Sequence, residues 1–297
     1  MSAVRPIDKG NIYAINAMLI AVAMFSLMDT VMKLLAATLP AMQVASLRAL
    51  CSLPLVCLYL WWRGAFSSIF SIRPPLHLLR AGVGISMLFF FSYGLKTLSL
   101  AEAYTIFFVA PAIVTALSVV VLGETVDARR WIAIVVGLAG VIIVLRPSGE
   151  GFLTLGGLAI LGSAVGYAIS AIAGRILART ERSEHMVFWL MFMMAVGATA
   201  MALPDWHPIG MEHAWLLIAL AVTGFFGQLA ITEAFSHGHA SAVAPFEYSA
   251  LAWGVGIDFM LWQVLPDAYT MLGAAIIIGS GIYLVRHEQV HVESEHP

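Results

Sequence analysis

The stretch SAVAPFEYSALAWGVGIDF, residues 241–259, decides how the chain is read. It is long and apolar enough to cross a bilayer core, yet it carries Glu247 well inside it. Pro245 stands two residues ahead of that carboxylate, and Tyr248 and Trp253 follow it. A carboxylate in hydrocarbon costs several kcal/mol or changes its protonation, so such a residue faces a wet cavity or a partner. Proline removes one backbone donor and strains the preceding turn, which loosens a helix beside the charge. A helix lining a transport pathway reads this way. The plainer alternative is a packed membrane helix whose glutamate is satisfied by a neighbour.

Composition extends the membrane reading to the whole chain. Of 297 residues, 61% are hydrophobic and only 11% charged, with a mean hydropathy of +0.93, far outside the range of soluble domains. The few charges leave several apolar runs of about 20 residues, the length that spans a bilayer. The net charge of −2 carries little weight, because charge in membrane proteins acts through position. Cys51 and Cys57 share one apolar run at a spacing that does not put them on one helix face. They read as buried thiols with neither a disulfide nor a metal site.

In chain order, a short polar N-terminus with Arg5 and Lys9 precedes ten expected spans. They are 12–37, 42–62, 78–97, 103–122, 130–145, 154–177, 186–203, 214–235, 240–263 and 269–285. The first run is too long for the core of a signal peptide and is expected to stay. Connections are short, the longest running from Arg63 to His77, and no loop is large enough for a soluble domain. The expectation is therefore all-α and membrane-embedded.

Basic residues give the orientation. With the N-terminus cytoplasmic, the inner segments hold Arg5, Lys9, Arg63, Arg73, Arg80, Arg129, Arg130, Arg179, Arg182 and Arg286. The outer segments hold only Lys96 and Arg146, and Lys33, Arg48 and Arg175 lie within spans. That asymmetry predicts both termini in the cytoplasm and supports an even span count, since one missed helix would scramble it. Trp61, Trp62, Trp131, Trp215 and Trp262 fall near span ends, at the depth amphipathic rings favour.

A slide of about 140 residues lays spans six to ten over spans one to five, with Lys33 meeting Arg175 and Ala101 and Ala103 meeting Ala240 and Ala242. Identities are few. Five spans per half is an odd number, so the two halves must lie in opposite orientations, the arrangement found in secondary transporters with a site near the midplane.

Several motifs then carry a resemblance. They are Phe25-Ser26-Leu27-Met28-Asp29 with Lys33, Arg48, Tyr93-Gly94-Leu95, Pro111, Leu122-Gly123-Glu124 and Gly137-Leu138-Ala139-Gly140-Val141 in the first half. In the second half they are Ala244-Pro245-Phe246-Glu247-Tyr248 and Gly279-Ser280-Gly281-Ile282-Tyr283. The chain resembles the drug/metabolite transporter superfamily, of the type built from two EamA repeats. The resemblance implies a first repeat at 11–147, a second at 153–286 and a polar cytoplasmic tail at 287–297. It also implies a multi-pass protein of the bacterial inner (plasma) membrane. The Arg73-Pro74 to Arg80 stretch and the Ala244-Pro245 segment look similar to bacterial S-adenosylmethionine uptake carriers, in which a basic residue stands where Glu247 stands here. Trp262-Gln263 replaces the Gly-Glu of the first half.

Each charge inside a span has two readings. Asp29 and Lys33 are one helical turn apart and can simply neutralise each other. Alternatively they form, with Arg48, the polar wall of an outer vestibule. Arg175 can snorkel to the headgroups, and Asp258, about a turn from the surface, is expected to be solvated. Glu247 suits a proton carrier or a counter-ion for a cationic substrate. Gln228 and Glu233 in span eight offer further polar contacts. Tyr93, Tyr104, Tyr167, Tyr248 and Trp253 offer rings on which a flat or cationic substrate can stack, with helix packing an equally good reading for each. Gly162 and Gly166 have the spacing that lets helices approach closely.

Other classes are less well supported. There is no Gly-rich phosphate loop, and His237 and His239 make no convincing metal pair. An intramembrane enzyme using Asp29 and Glu247 lacks a nucleophile or metal, so no enzyme and no cofactor are expected. A channel is disfavoured because the charges are isolated and form no ring. The expected partners are a small-molecule substrate and the lipid bilayer, with protons and a homodimer as candidates, and no nucleic acid. The sequence therefore reads as a carrier working by alternating access, its central cavity drawn chiefly from spans three, four, eight and nine. Its substrate is a small polar or amphipathic metabolite, with a cationic or zwitterionic one preferred. A polyspecific exporter of drugs or amino acids is the alternative.

Overall fold

The computed structural model describes residues 9–65, 69, 73–122, 128–145, 154–237, 246, 247 and 249–287. Regular structure among them is helical throughout. The first half contains α1 (Lys9–Ala36), α2 (Ala41–Trp62), α3 (Pro74–Gly94), α4 (Leu100–Phe107), α5 (Ala110–Leu122) and α6 (Ala128–Leu145). The second contains α7 (Leu155–Leu177), α8 (Ser183–Ala202), α9 (Ala214–His237), α10 (Ser249–Trp262) and α11 (Ala268–His287). Seven stretches of the described residues are long and apolar enough to cross a membrane, and Leu100–Val121, covering α4 and α5, is one of them. Trp61, Trp62, Trp131 and Trp215 are all exposed, as residues of an interfacial belt would be.

Most helix ends fall within a few residues of the sequence expectation, and the third, fourth and ninth spans depart from it for local reasons. The third span begins at Pro74, not at 78, because prolines at the first helical positions cost nothing where the N–H is free anyway. The fourth is split. Phe108 N–H still bonds Tyr104 O at 2.9 Å, but Val109 N–H turns back to Ile106 O at 3.3 Å, and a new helix starts at Ala110. Pro111 has no N–H to return to the carbonyl four residues earlier, so the ladder cannot run through. In the ninth, the described helix starts at Ser249, and Phe246 and Glu247 form a 3₁₀ turn ahead of it. Ser249 Oγ donates to Phe246 O at 2.6 Å, a local bond that competes with helix propagation. Residues 240–245 and Tyr248 lie outside the described residues. Glu247 thus precedes a helix, where a position within one was expected.

Helix α1 packs chiefly on α9, α3 on α7, α6 on α11, and α2 on α8 and α9. Close approach of α3 and α7 depends on bare backbone at Gly94, Gly162 and Gly166. A Cβ on Gly94 would lie 2.6 Å from Ile160 Cδ1, and one on Gly166 would lie 3.2 Å from Met87 Cβ. The small-residue reading of Gly162 and Gly166 is thus a packing reading.

A shift of 142 positions relates contacts in the two halves. Gln43 Nε2 donates to His207 O at 2.8 Å, and His185 Nε2 meets Ala65 O at 3.2 Å. Gln43 to His185 and Ala65 to His207 are both that shift. The turn after α1, where Thr38 Oγ1 donates to Leu35 O at 3.3 Å, recurs after α7 as Thr180 Oγ1 to Leu177 O at 3.3 Å. The starts of α2 and α8, Ala41 and Ser183, and the ends of α6 and α11, Leu145 and His287, obey the same shift.

Candidate functional site

Two carboxyl–tyrosine pairs organise the polar interior. Asp29, on α1, is 8% exposed and accepts a hydrogen bond from Tyr104 Oη at 2.9 Å. Tyr104 stands on α4, and its ring lies so close to α10 that a Cβ on Gly254 would come within 2.8 Å of it. Glu247, half-buried, accepts from Tyr167 Oη of α7 at 3.2 Å. A ladder of rings joins the pairs. Tyr104 lies against Phe91 (centroids 6.5 Å apart), Phe91 against Phe107 (6.0 Å), and Phe107 edge-on to Tyr167 (5.4 Å).

Arg48 is buried on α2 and reaches into the second half. Its Nη2 donates to Gln228 Oε1 at 3.4 Å, its Nε to Met28 Sδ at 3.2 Å, and its guanidinium stands 5.9 Å from the Phe25 ring. A thioether is a weak acceptor, so Arg48 is held by Gln228, by the Phe25 ring and by the electrostatic attraction of the buried Asp29 carboxyl nearby.

The ion pair weighed for Asp29 and Lys33 does not form. Lys33 Nζ instead pairs with Asp258 Oδ1 at 3.3 Å and lies 4.4 Å from the Trp262 ring centroid. Asp258, expected to be solvated, is 1% exposed. Its second oxygen accepts Ala101 N–H at 2.8 Å, one of the free amides in the first turn of α4. Position along one helix fixes depth in the bilayer but not burial: α1, α4 and α10 meet over this residue and exclude solvent. Asp258 therefore straps three helices together at the Lys33 end of the molecule.

At the opposite end lies a polar cavity of about 420 Å³, lined by Arg63, Glu181, Arg182, Glu184, Glu233 and His237 among others. Glu184 pairs with Arg63 at 3.1 Å and Arg182 at 3.2 Å, and Glu181 meets the buried His77 Nε2 at 2.7 Å.

Of the nine sequence candidates, the structure joins Asp29 to Tyr104 and Arg48 to Gln228, and sets Lys33 apart with Asp258. Tyr93 and Trp253 are 39% and 43% exposed, and the Tyr93 ring lies beside Phe89. Tyr248 lies outside the described residues. The pairing of Tyr167 with Glu247 and the ladder through Phe91 and Phe107 had no signal in the sequence, because these residues are far apart in the chain and their spacing encodes no contact. No group of three or more metal-ligating side chains occurs among the described residues.

An all-helical bundle with helices of membrane length and polar pairs in its interior defines an integral membrane class. The chain belongs to the EamA-like transporter family, which matches residues 12–146 and again 154–286. It is 30% identical over 268 residues to the pseudopaline exporter CntI of Pseudomonas aeruginosa PAO1, covering 88% of this chain and 92% of that one. It is 27% identical to the S-adenosylmethionine uptake transporter of Rickettsia prowazekii over 94% of both chains, and 28% identical to a riboflavin transporter of Vibrio cholerae over 84% of both. A solved crystal structure with 20% sequence identity superposes with a TM-score of 0.65, covering 90% of this chain and 96% of that one, a likeness of fold.

Proposed function

We propose that the protein is a secondary transporter of ten membrane spans, in two inverted five-span halves, moving a small cationic or zwitterionic metabolite by alternating access. The observation that carries this reading is the contact made twice, Gln43 with His207 and His185 with Ala65, at one constant shift. Exchange of the halves also turns the α1–α9 packing into α7–α3, and leaves α2–α8 and α6–α11 paired with themselves. A bundle with this internal two-fold has two near-equivalent arrangements, one open to each side, which is the basis of alternating access. Two separate EamA matches in one chain support the same division.

Glu247 is the substrate-binding or coupling residue in this reading, oriented by Tyr167, with Arg48 and Gln228 facing the substrate from the other side. A half-buried carboxyl among apolar helices is favourable only where it meets water or a cation. S-adenosylmethionine, transported by the Rickettsia relatives, carries a sulfonium and an ammonium group and is the first compound to test. The polar cavity at Arg63 is the cytoplasmic vestibule, and both termini are cytoplasmic. An exporter of the same fold is the second reading, favoured by the 30% identity to the pseudopaline exporter. The protein acts on its substrate by translocation and has no catalytic step.

The test is thermal stabilisation of the purified protein by S-adenosylmethionine, riboflavin, amino acids, polyamines and quaternary ammonium compounds, followed by uptake of any hit into proteoliposomes. Binding to the folded state raises apparent stability by mass action. A hit that is transported and lost in Glu247→Gln supports the reading. A hit transported equally by that variant removes Glu247 from the site.

A further inference from the structure

We infer that Lys33, Asp258 and Trp262 are the outer gate of this carrier: the strap they form is shut in this structure, and its release is the step that opens the polar interior to the outside. The inference rests on the transporter reading and adds to it the contact that alternating access has to break.

The first support is where the strap lies. Gly254, Asp258 and Trp262 follow at four-residue steps and make one stripe along α10. The whole stripe faces the first half. A Cβ on Gly254 would lie 2.8 Å from the Tyr104 ring and 3.3 Å from Ala101 N. Asp258 accepts from Ala101 N–H and Lys33, and the Trp262 ring stands beneath the Lys33 ammonium. Asp29 and Tyr104 lie one turn further in, on α1 and α4, and are only 8% and 5% exposed. At the other end of the bundle lies the polar cavity of about 420 Å³, and α1 meets α9 there through an exposed contact, Tyr13 Oη to Glu233 at 3.5 Å. One end is sealed and the other is hollow.

The second support is that the strap can part. Ser99 and Glu102 cap the start of α4 between themselves, Ser99 Oγ accepting Glu102 N–H at 3.1 Å and Glu102 accepting Ser99 N–H at 2.9 Å. Helix α4 therefore keeps its cap when Asp258 withdraws, and a single amide passes to water. The Lys33 side chain is 16% exposed, so its ammonium is at an edge where it can be rehydrated.

The third support is the path of α10 itself. Glu247 stands just ahead of its first residue, Ser249, and the strap is at its last turn, so one short rod carries the proposed coupling residue at one end and the gate at the other. A substrate that draws on Glu247 moves the helix that holds the strap shut.

The fourth support is asymmetry between the halves. The 142-position shift takes Lys33 to Arg175, but it takes Asp258 to Ala116 and Trp262 to Val120. Neither the acid nor the ring of the strap stands at the matching positions. An ion pair made in one of two near-equivalent states favours that state, so the strap sets the resting conformation as closed to the outside.

The experiment reads accessibility from each face of the full chain, with Cys51 and Cys57 changed to serine. Ser26→Cys reports on the interior, since Ser26 is 1% exposed and about one turn from Asp29 on α1. Ser183→Cys reports on the inner end, where Ser183 lines the cavity and is half-buried. A membrane-impermeant maleimide is applied to right-side-out and to inside-out vesicles, and labelling is followed by mass spectrometry. Asp258→Asn is expected to raise labelling of Ser26→Cys from outside at least about tenfold and to lower labelling of Ser183→Cys from inside. Lys33→Arg, which keeps the charge, is expected to label like the parent. Lys33→Met spares the Ala101 bond and repeats the test where Asp258→Asn does not reach the membrane. Fast labelling of Ser26→Cys with the strap intact, no rise when it is broken, or a rise only from inside overturns the gate. A rise at both reporters marks a staple whose loss loosens the fold, and overturns it too. None of these readings needs a substrate, so proteoliposome uptake judges the transporter reading separately.

Discussion

Gln43 clamps the backbone of His207 from both sides, its Nε2 donating to the carbonyl at 2.8 Å and its Oε1 accepting the amide at 3.0 Å. The side chain is fully buried at the start of α2, and the segment it grips joins α8 to α9. One amide thus ties the two halves at one end of the bundle, as His185 does through Ala65 at the other.

Gln43→Leu removes both bonds to the part-buried backbone of the exposed His207, at about 0.5–1.5 kcal/mol each. The melting temperature in detergent is expected to fall sharply. Gln43→Glu keeps an acceptor for the His207 amide but sets a buried carboxyl against its carbonyl, and is expected to cost at least as much. Equal melting of all three proteins would show that the clamp is not structural.

Glu247→Gln removes a charge from a site where the proposed substrate supplies a cation. A hydrogen bond to a charged group contributes about 1.5–3 kcal/mol, so affinity is expected to fall roughly ten- to a hundredfold. Tyr167→Phe keeps the charge and loses its orienting phenol, with a smaller fall expected. Binding isotherms with the best ligand of the thermal panel measure both, and circular dichroism checks that each variant is folded.

Asp258→Leu leaves Lys33 and the Ala101 amide without their acceptor. Breaking a buried pair from one side costs about 3–5 kcal/mol, and the lower end applies because Lys33 is 16% exposed and retains some water. Asp258→Asn keeps one acceptor for the amide and is expected to lose less. Lys33→Met combined with Asp258→Asn should recover part of the loss, which a double-mutant cycle on melting temperature reads directly.

Gly94 and Gly82 both lie on α3, and the space around them predicts opposite effects. Gly94→Val drives a side chain into Ile160 and should destabilise by about 1–3 kcal/mol. Gly82→Ala meets nothing within 4 Å and removes a helix-weakening glycine, so a gain of about 0.5–1 kcal/mol is expected. Chemical denaturation of the two variants separates α3–α7 packing from helix propensity.

A reporter enzyme fused after Arg286 is expected to be active in the cytoplasm and inactive in the periplasm. The reverse result would overturn the even span count and the orientation read from the basic residues.

The sequence by itself determined the solvent of this protein and the class of its fold. Both are one-dimensional properties: run length fixes which segments can cross a bilayer, and the scarcity of charge leaves helices as the structure that satisfies the backbone there. It also pointed to Glu247 and Asp29, because a carboxyl within an apolar run is conspicuous without any coordinates. The tertiary structure decided partners. Asp29 and Lys33 sit one turn apart, yet their bonds go to Tyr104 and Asp258, 75 and 225 residues away in the chain. Asp258 is buried because three helices converge on it, a fact that no window along α10 contains. Helical periodicity tells which residues share a face, and only packing tells what that face meets.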